Sequence, residues 1–155
     1  MMMSAGPATM PQECNCFAVR SAARHVTQFY DQHLASSGLR TTQFSILSKL
    51  KRNGPMTINR LAEDMAMDRT TLGRNILPLE RDGLIRIEPV ANDRRAKELH
   101  LTGAGAKRHQ AALKAWTEAQ GRFEETFGPQ RAAQLRTMLR AVVATDFDAS
   151  DRSQS

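Results

Sequence analysis

Two helical patterns in the middle of the chain are separated only by the short segment Met65-Ala66-Met67. Thr57 can cap the first of these helices, and Asp68 is a strong N-cap for the second. Met67, before this cap, and Leu72, four residues after it, can form a hydrophobic staple that fixes where the second helix begins. Two helices joined by about three to four residues are typical of a helix-turn-helix. The spacing therefore predicts this unit.

The hydrophobic pattern changes from a helical period to strict alternation after Gly83. Apolar and polar residues then alternate in two short runs, which is typical of strands. The apolar members are Ile85 and Ile87 in the first run and Leu99 and Leu101 in the second. Residues 89–95 are long for a tight hairpin and predict a projecting loop that carries Asp93, Arg94 and Arg95. Two strands and a charged loop directly after a helix-turn-helix predict a wing.

Longer helical patterns flank this central unit. A first helix starts near Phe17 and ends at Ser36-Ser37-Gly38, and Thr41 can cap a second helix. Thr102 can cap a long fifth helix, which Gly128-Pro129 separates from a sixth. The predicted fold class is mainly α with a small antiparallel β wing, in which long terminal dimerisation helices flank a winged helix-turn-helix.

The length of the chain favours a single domain. Its 155 residues match the usual domain size, and its apolar content of 41% is sufficient for one core. Both ends lack apolar periodicity and are expected to be disordered. The expected ranges are 13–147 for the domain, with 41–101 as the winged helix-turn-helix and 13–37 and 102–147 as the terminal helices, and 1–12 and 148–155 as tails.

The surplus of positive charge is concentrated in the middle of the chain. The counts of 22 Lys and Arg against 16 Asp and Glu give a formal net charge of +6. Residues 51–108 carry twelve basic and eight acidic side chains, whereas residues 109–155 carry six of each. A polyanionic partner is therefore expected to bind within the middle part. No apolar run approaches the roughly 20 residues of a membrane span, and no secretory signal pattern is present, so we expect a cytoplasmic protein without a membrane partner.

The second helix of the helix-turn-helix has the side chains that a DNA-reading helix needs. With Leu72, Ile76 and Leu79 turned to the core, its opposite side is free to enter a major groove. Arginine can donate to guanine O6 and N7, threonine can contact phosphate or a thymine methyl group, and glycine lets DNA approach closely. The candidates on this side and its flank are Arg69, Thr70, Thr71, Gly73, Arg74, Asn75 and Arg81, with Leu77 beside them.

The charged loop of the wing suits a minor groove. Arg94 or Arg95 can insert a guanidinium where narrow A·T-rich stretches concentrate negative potential. Asp93 would then orient an arginine, because a carboxylate that faced phosphate would only repel it. Lys97 follows on the same strand. Each charge taken alone is more often a solvated surface residue, but together with the helix-turn-helix they predict double-stranded DNA as the partner.

The chain from about Cys16 to Val143 resembles the MarR family of bacterial winged helix-turn-helix regulators. The most specific segments are Leu61-Ala62-Glu63, Asp68-Arg69-Thr70-Thr71-Leu72, 79–85 and 93–102. The resemblance implies a recognition helix over about residues 69–81 and a wing pair of Asp93 and Arg95, with Arg95 in the minor groove. It also implies a nucleoid-associated transcriptional regulator, a repressor that binds a pseudo-palindromic operator.

The resemblance further implies a homodimer built from the first helix and the last two. The residues agree, because the terminal helices carry much apolar surface for elements outside a small winged-helix core. The side chains concerned are Trp116, Phe123, Phe127, Leu135, Met138, Leu139, Val142 and Val143. A twofold dimer would present its recognition helices to half-sites about one turn of B-DNA apart. The alternative is a compact monomer whose terminal helices fold back on the core.

Members of the family usually release DNA when a small, often aromatic, effector binds between the dimer helices and the reading heads. The resemblance places this lining on the first, second and fifth helices, where the available residues are Phe17, Arg20, Arg24, His25, Phe29, Phe44 and Trp116. Arg20 and Arg24 lie one turn apart and could share the carboxylate of an aromatic acid, and a thioester is a related candidate. Alternatively, the two arginines pair with acidic groups or face water.

Oxidation of a cysteine near the N-terminus is a second candidate trigger. Cys16, with Tyr30 fourteen residues on, is similar to the hydroperoxide-sensing branch of the family, in which a tyrosine at this spacing hydrogen-bonds to the oxidised cysteine. That branch has another tyrosine four residues after the cysteine, where this chain has Arg20. A nearby arginine could make the thiol more reactive, but a free cysteine is more often only a small apolar residue.

Other classes of protein find less support. The segment Thr102-Gly103-Ala104-Gly105-Ala106 lacks the lysine of a phosphate-binding loop and the spacing of a dinucleotide fingerprint, so no enzyme is predicted. Cys14 and Cys16 are too close for a zinc hook, and the four histidines are scattered, so neither a metal nor a cofactor is expected. A protein that coats RNA or DNA without sequence preference is the stronger rival.

Overall fold

The computed structural model describes residues 13–149. The tail expected at 1–12 and most of the tail expected at 148–155 lie outside the described residues. Six α-helices, a 3₁₀ turn at Ala35–Ser37 and three strands follow one another within the described range. The α-helices and strands are α1 (Asn15–Leu34), α2 (Thr41–Asn53), β1 (Met56–Thr57), α3 (Ile58–Asp64), α4 (Arg69–Arg81), β2 (Ile85–Val90), β3 (Asp93–Leu101), α5 (Gly103–Phe127) and α6 (Pro129–Ala144). The predicted class, mainly helical with a small antiparallel wing, is confirmed.

Three of the expected helix caps are present. In each, a side-chain oxygen accepts a hydrogen bond from the backbone N–H three residues on, at 3.2 Å for Thr57, 2.8 Å for Asp68 and 3.0 Å for Thr102. These bonds satisfy N–H groups that have no partner inside the helix. They begin α3, α4 and α5 where the sequence predicts.

The cap expected at Thr41 is wrong. Thr41 is the first residue of α2, and its N–H and hydroxyl both donate to Asp31 Oδ1 at 2.7 Å. The side chain of Gln43 accepts from the N–H of Arg40 at 3.0 Å. A carboxylate of α1 therefore satisfies the start of α2 and ties the two helices together.

Strand β1 was not predicted. It has only two residues, too few to show an alternating pattern, and it pairs antiparallel with β3 through Met56 opposite Leu99. The strand order is β1-β3-β2. This pairing joins the base of the wing to the start of the helix-turn-helix.

The long loop expected over residues 89–95 is replaced by a hairpin with a bulge. A turn of only two residues, Ala91 and Asn92, joins β2 to β3. The ladder passes from the pair Pro89–Lys97 to the pair Val90–Asp93. Residues 94–96 of β3 therefore have no partner on β2 and bulge from the edge of the ladder. The two arginines project from a bulged strand rather than from a free loop.

The core lies among α2, α3, α4, the wing and the middle of α5. Its largest fully buried side chains are Leu34, Ile46, Leu47, Met56, Leu61, Leu72, Leu79 and Leu99. At Gly105, in the first turn of α5, a Cβ would overlap the backbone carbonyl oxygen of Leu84. Glycine at this position therefore lets α5 lie directly against the start of the wing.

The terminal helices leave apolar surface uncovered. Leu34 is the only buried residue of α1 and Ala132 the only one of α6. The large apolar side chains exposed near the two ends of the described range are Phe17, Val19, Met138, Leu139, Val142, Val143 and Phe147. No helix within residues 13–149 is both long and apolar enough to cross a membrane.

Candidate nucleic-acid interface

Helix α4 buries one side and exposes the other. Leu72, Ile76 and Leu79 are at most 3% exposed and face the core. The helix packs against α2, α3 and β2. Four residues at spacings of four, three and four follow the outward side, and all four are exposed: Thr70, Arg74, Leu77 and Arg81. We call these four residues the outward stripe.

Two of the predicted contacts on α4 are engaged within the helix. The N–H and hydroxyl of Thr71 each donate to a carboxylate oxygen of Asp68 at 2.8 Å, and these bonds lower the pKa of Asp68. Asn75 donates from Nδ2 to the carbonyl of Thr71 at 2.9 Å. Thr71 and Asn75 therefore hold the start of the helix in shape, and their free donor capacity is reduced. The sequence alone did not separate this role from a DNA contact.

Gly73 is not required by the packing of the chain. A Cβ at this position would meet no atom within 4 Å apart from the adjoining backbone of α4. Glycine inside a helix is less stable than alanine by about 1 kcal/mol. The missing side chain therefore destabilises α4 and leaves open space next to the outward stripe.

The structure brings the start of α4 and the wing around one cleft. The cleft has a volume of about 480 Å³, and its lining includes Arg69 from α4 and Asp93, Arg95 and Lys97 from β3. Three cationic side chains thus face a space bounded by the starts of α3 and α4 and by the wing, whereas Arg94 is exposed outside its lining. This is the geometry of a groove for a polyanion.

Asp93 bonds to the backbone of the bulge rather than to a guanidinium. Its Oδ1 accepts from the backbone N–H of Arg95 at 3.0 Å. Within residues 13–149, no ion pair joins Asp93 to either arginine of the bulge. An aspartate commonly bonds the amide two residues on in a turn. Asp93 therefore shapes the backbone of the bulge, and its expected role in orienting an arginine on DNA stays a prediction.

The base of the wing carries a charge cluster that sequence reasoning missed. Glu88 and Glu98 face each other across β2 and β3. His100 Nε2 lies 2.9 Å from Glu98 Oε1 and 3.4 Å from Glu88 Oε2. Arg86 donates to Glu88, and this bond lowers the pKa of the carboxyl. The alternating pattern placed these side chains on the strands, but only the register shows that they meet.

The expected effector residues do not form one site in the single chain. Phe44 and Trp116 line a groove between α2 and α5, while His25 and Phe29 line another between α1 and α5. Arg24 borders a third depression. Phe17 and Arg20 are exposed near the start of α1. Helix α1 is a single long helix that spreads its candidate residues along its axis, so within one chain they line separate depressions.

The groove between α2 and α5 has a built aromatic wall. The ring of Phe44 stacks on His109 at 5.2 Å between centroids and on Trp116 at 6.0 Å. Ser48 Oγ lies 2.9 Å from His109 Nε2. Burial, and then the charge of Lys51, lower the pKa of His109. The groove has a volume of about 470 Å³, and its basic lining residues are Lys49, Lys51 and Arg52.

His109 and Ser48 are site residues that sequence reasoning missed. A usable signal existed for His109, since it precedes Trp116 by seven residues and so falls on the same side of α5. Ser48 likewise follows Phe44 by one turn of α2. Nothing local indicated that the two helices face each other here.

Cys16 and Tyr30 do not meet within one chain. Both lie on α1, and fourteen residues of helix separate them by about 21 Å. The Tyr30 hydroxyl donates to Gln120 Oε1 at 2.5 Å, and its pKa is raised by burial and by the charge of Glu124. Both cysteines are exposed and unpaired. No group of three or more potential metal ligands is found in residues 13–149.

Comparison with known proteins identifies the family. The family model described as MarR matches residues 39–97, which include α2, the helix-turn-helix and the cleft side chains. The transcriptional regulator MosR of M. tuberculosis, solved in complex with DNA, is 36% identical, with 85% of this chain and 98% of MosR covered and a TM-score of 0.74. The chain belongs to the MarR family. Its members are DNA-binding transcriptional regulators and not enzymes.

Two further MarR-like structures share the fold at lower identity. BpsR of Bordetella bronchiseptica, whose DNA binding is regulated by 6-hydroxynicotinic acid, is 22% identical, with 91% of this chain and 100% of that chain covered and a TM-score of 0.77. Reduced AbfR bound to DNA is 23% identical, with 83% and 92% covered and a TM-score of 0.65. A search of curated proteins found no match.

Proposed function

We propose that this MarR-family protein is a sequence-specific repressor that binds a pseudo-palindromic operator in the nucleoid of the cytoplasm. Helix α4 enters the major groove, and the bulge of β3 places Arg94 and Arg95 at the adjacent minor groove. The observation that carries the proposal is the cleft in which Arg69 of α4 faces Arg95 and Lys97 of the wing. A sugar–phosphate backbone that passes between the two grooves has the charge to fill it.

The proposed DNA-binding form is a homodimer. The apolar side chains exposed on α1 and α6 supply a surface that the single chain does not cover. Twofold symmetry then presents two α4 helices to half-sites about one turn of B-DNA, ~34–36 Å, apart.

Binding to DNA tests the proposal directly. Footprinting on the DNA that flanks the protein's own gene defines an operator, and anisotropy then compares this operator with random duplex. We expect a preference of about 10³-fold or more. Arg69→Ala and Arg74→Ala should reduce operator affinity more than random affinity, whereas Arg95→Ala should weaken anchoring to the minor groove. Arg140→Ala, on exposed α6, is the control.

Equal losses on both DNAs for the three interface variants would support the rival, a protein that coats nucleic acid without reading it. Absence of any operator preference in the unmodified protein would lead to the same conclusion.

The effector proposed for release is a small aromatic acid or its thioester in the groove between α2 and α5. The stacked wall of Phe44, His109 and Trp116 suits an aromatic ring, and three basic residues suit its carboxylate. Helix α2 packs against both α5 and α4, so an occupant can change the position of α4. The control of BpsR by 6-hydroxynicotinic acid supports an effector of this class.

A panel of aromatic acids and thioesters, including 6-hydroxynicotinic acid, tests the groove. A ligand should raise the thermal midpoint and release the operator, and Lys49→Ala should weaken both effects, while Arg24→Ala on the separate depression should not. Midpoints and operator binding that stay constant over the whole panel would contradict this part of the proposal.

A second candidate trigger is oxidation of Cys16. Cys14 and Cys16 are both exposed at the start of α1, and AbfR has been solved on DNA in reduced and overoxidised forms. Tyr30 of the same chain is out of reach, so the proposal rests on the thiol alone. One equivalent of an organic peroxide should add mass at Cys16 and release the operator, and Cys16→Ser should abolish the release. A thiol that stays unmodified would eliminate this candidate.

A further inference from the structure

Leu77 is an exposed leucine in the middle of the recognition helix. Its exposed fraction is 65%, and it is the large apolar side chain of α4 that the chain leaves open to water. It belongs to the outward stripe, with Arg74 three residues before it and Arg81 four residues after it. A single exposed leucine needs no explanation by itself, but this one lies between two cations on the side proposed to enter DNA.

The surroundings of Leu77 add a second observation. Gly73 lies one turn before it, and apart from the adjoining backbone of α4 no atom lies within 4 Å of a Cβ built there. Gly73 and Leu77 are neighbours on the surface of α4, and the glycine contributes no side chain there. Helix α4 packs against α2, α3 and β2 through its opposite side, so neither residue has a role in that packing.

We infer that Leu77 reads the C5-methyl group of a thymine in each half-site. This inference rests on the proposed function, because it requires α4 to lie in a major groove. Among the base edges exposed there, thymine is the one that presents a methyl group, and an apolar side chain recognises it by contact. Leucine offers no hydrogen bond, so it separates thymine from cytosine only through this contact. Because Gly73 has no side chain, the base edge can approach α4 closely enough to contact Leu77.

Operators with deoxyuridine test the inference, since this base removes only the methyl group. Each thymine of the footprinted half-sites is replaced in turn, symmetrically in both halves, and binding is measured by anisotropy. For the unmodified protein, deoxyuridine at one of these positions should lower operator affinity by about fourfold per half-site, because the free energy of burying one methyl-sized group is lost. The Leu77→Ala variant should bind the thymine operator more weakly by a similar factor. Its affinity should not fall further when deoxyuridine replaces the thymine. Leu77→Met should keep the sensitivity.

The controls separate this inference from the proposed function. Leu77 is exposed, so the thermal midpoint of Leu77→Ala should stay unchanged, and deoxyuridine outside the half-sites should have no effect. Deoxyuridine that is harmless at every position, or equally harmful with and without Leu77, overturns the inference even where operator preference is intact. Loss of all preference between operator and random DNA overturns the proposed function instead.

Discussion

Gly73 and Gly83 are the same residue type, but the structure requires a glycine at only one of the two positions. Both have open space where a Cβ would lie. Gly83, just after α4, has a φ of 72°, a conformation that side chains with a Cβ rarely adopt. Gly73 lies inside the helix with ordinary backbone, so neither its conformation nor the packing of the described residues requires a glycine there.

Gly73→Ala should therefore stabilise the protein and weaken its function. We expect the free energy of unfolding in urea to rise by about 0.5–1 kcal/mol, because alanine is the better helix former. Operator affinity should fall by about tenfold or more, the equivalent of one lost base contact. Gly83→Ala is the matched control and should lower stability instead. A Gly73→Ala protein with unchanged operator affinity would refute the role of close approach.

His109 is a buried imidazole that stacks on Phe44 and bonds Ser48. Burial lowers its pKa below the ordinary value of 6.5. Near that value the unfolded chain binds more protons than the folded one, so stability rises with pH. The free energy of unfolding therefore decreases as the pH falls from 6.5 to the lower pKa that His109 has in the folded state.

The pH dependence of unfolding checks this linkage. Urea unfolding between pH 8 and pH 5 should show stability decreasing as the solution becomes acidic. His109→Gln should flatten this slope, because glutamine cannot take up the proton, whereas the exposed His25→Gln should retain it. An identical slope in both variants would assign the pH dependence to other groups.

At the scale of elements, the wing departs furthest from its sequence pattern. Ile85, Ile87, Leu99 and Leu101 alternate as strands require, but the pattern stops where the side chains become polar. The two-residue turn and the bulge at 94–96 depend on the register of β2 and β3. The hydrogen bond from Arg95 N–H to Asp93 then shapes the bulge.

Two substitutions of Asp93 separate shape from charge. Asn keeps an oxygen that can accept from the amide of Arg95, and it removes a negative charge near DNA, so operator affinity should stay within about twofold or improve. Ala removes the acceptor and should weaken binding by about five- to tenfold, the effect of one lost hydrogen bond. Anisotropy measures both, with thermal melts to confirm an intact fold. Equal losses for Asn and Ala would restore a role for the charge.

At the scale of the whole molecule, the terminal helices are incomplete in one chain. Tyr30, Gln120, Glu124 and Arg136 form a hydrogen-bonded series that joins α1, α5 and α6. This series fixes the three helices relative to one another, while the apolar side of α6 faces water. A rigid apolar surface of this kind is suited to a second copy.

Met138→Glu tests that surface. Met138 is 67% exposed in the single chain, and a charge there should be unfavourable in a dimer interface. Analytical ultracentrifugation should show monomers, and operator affinity should fall by about 10²-fold or more, because the second half-site is then no longer tethered. Ala133→Glu introduces the same charge about 140° round the helix and serves as the control. Dimers that persist with full affinity in Met138→Glu would exclude this surface.

The sequence by itself determined the six α-helices, the two strands of the wing and their order. Helical period, strand alternation and the caps at Thr57, Asp68 and Thr102 are local features, and each depends on residues within one or two turns. The charge distribution and the outward side of α4 follow from the same local rules. These features were sufficient to predict the winged helix-turn-helix, whereas the family was predicted from the resemblance of particular segments such as 93–102.

Only the tertiary structure decided which side chains meet. Ser48 and His109 are 61 residues apart, and Tyr30 and Gln120 are 90 apart. Whether such pairs are in contact depends on how helices cross and how strands register. The same reason explains why Asp31 and not Thr41 satisfies α2, and why the expected effector residues separate into four places. Local periodicity assigns a residue to a side of its element, whereas packing decides what lies opposite that side.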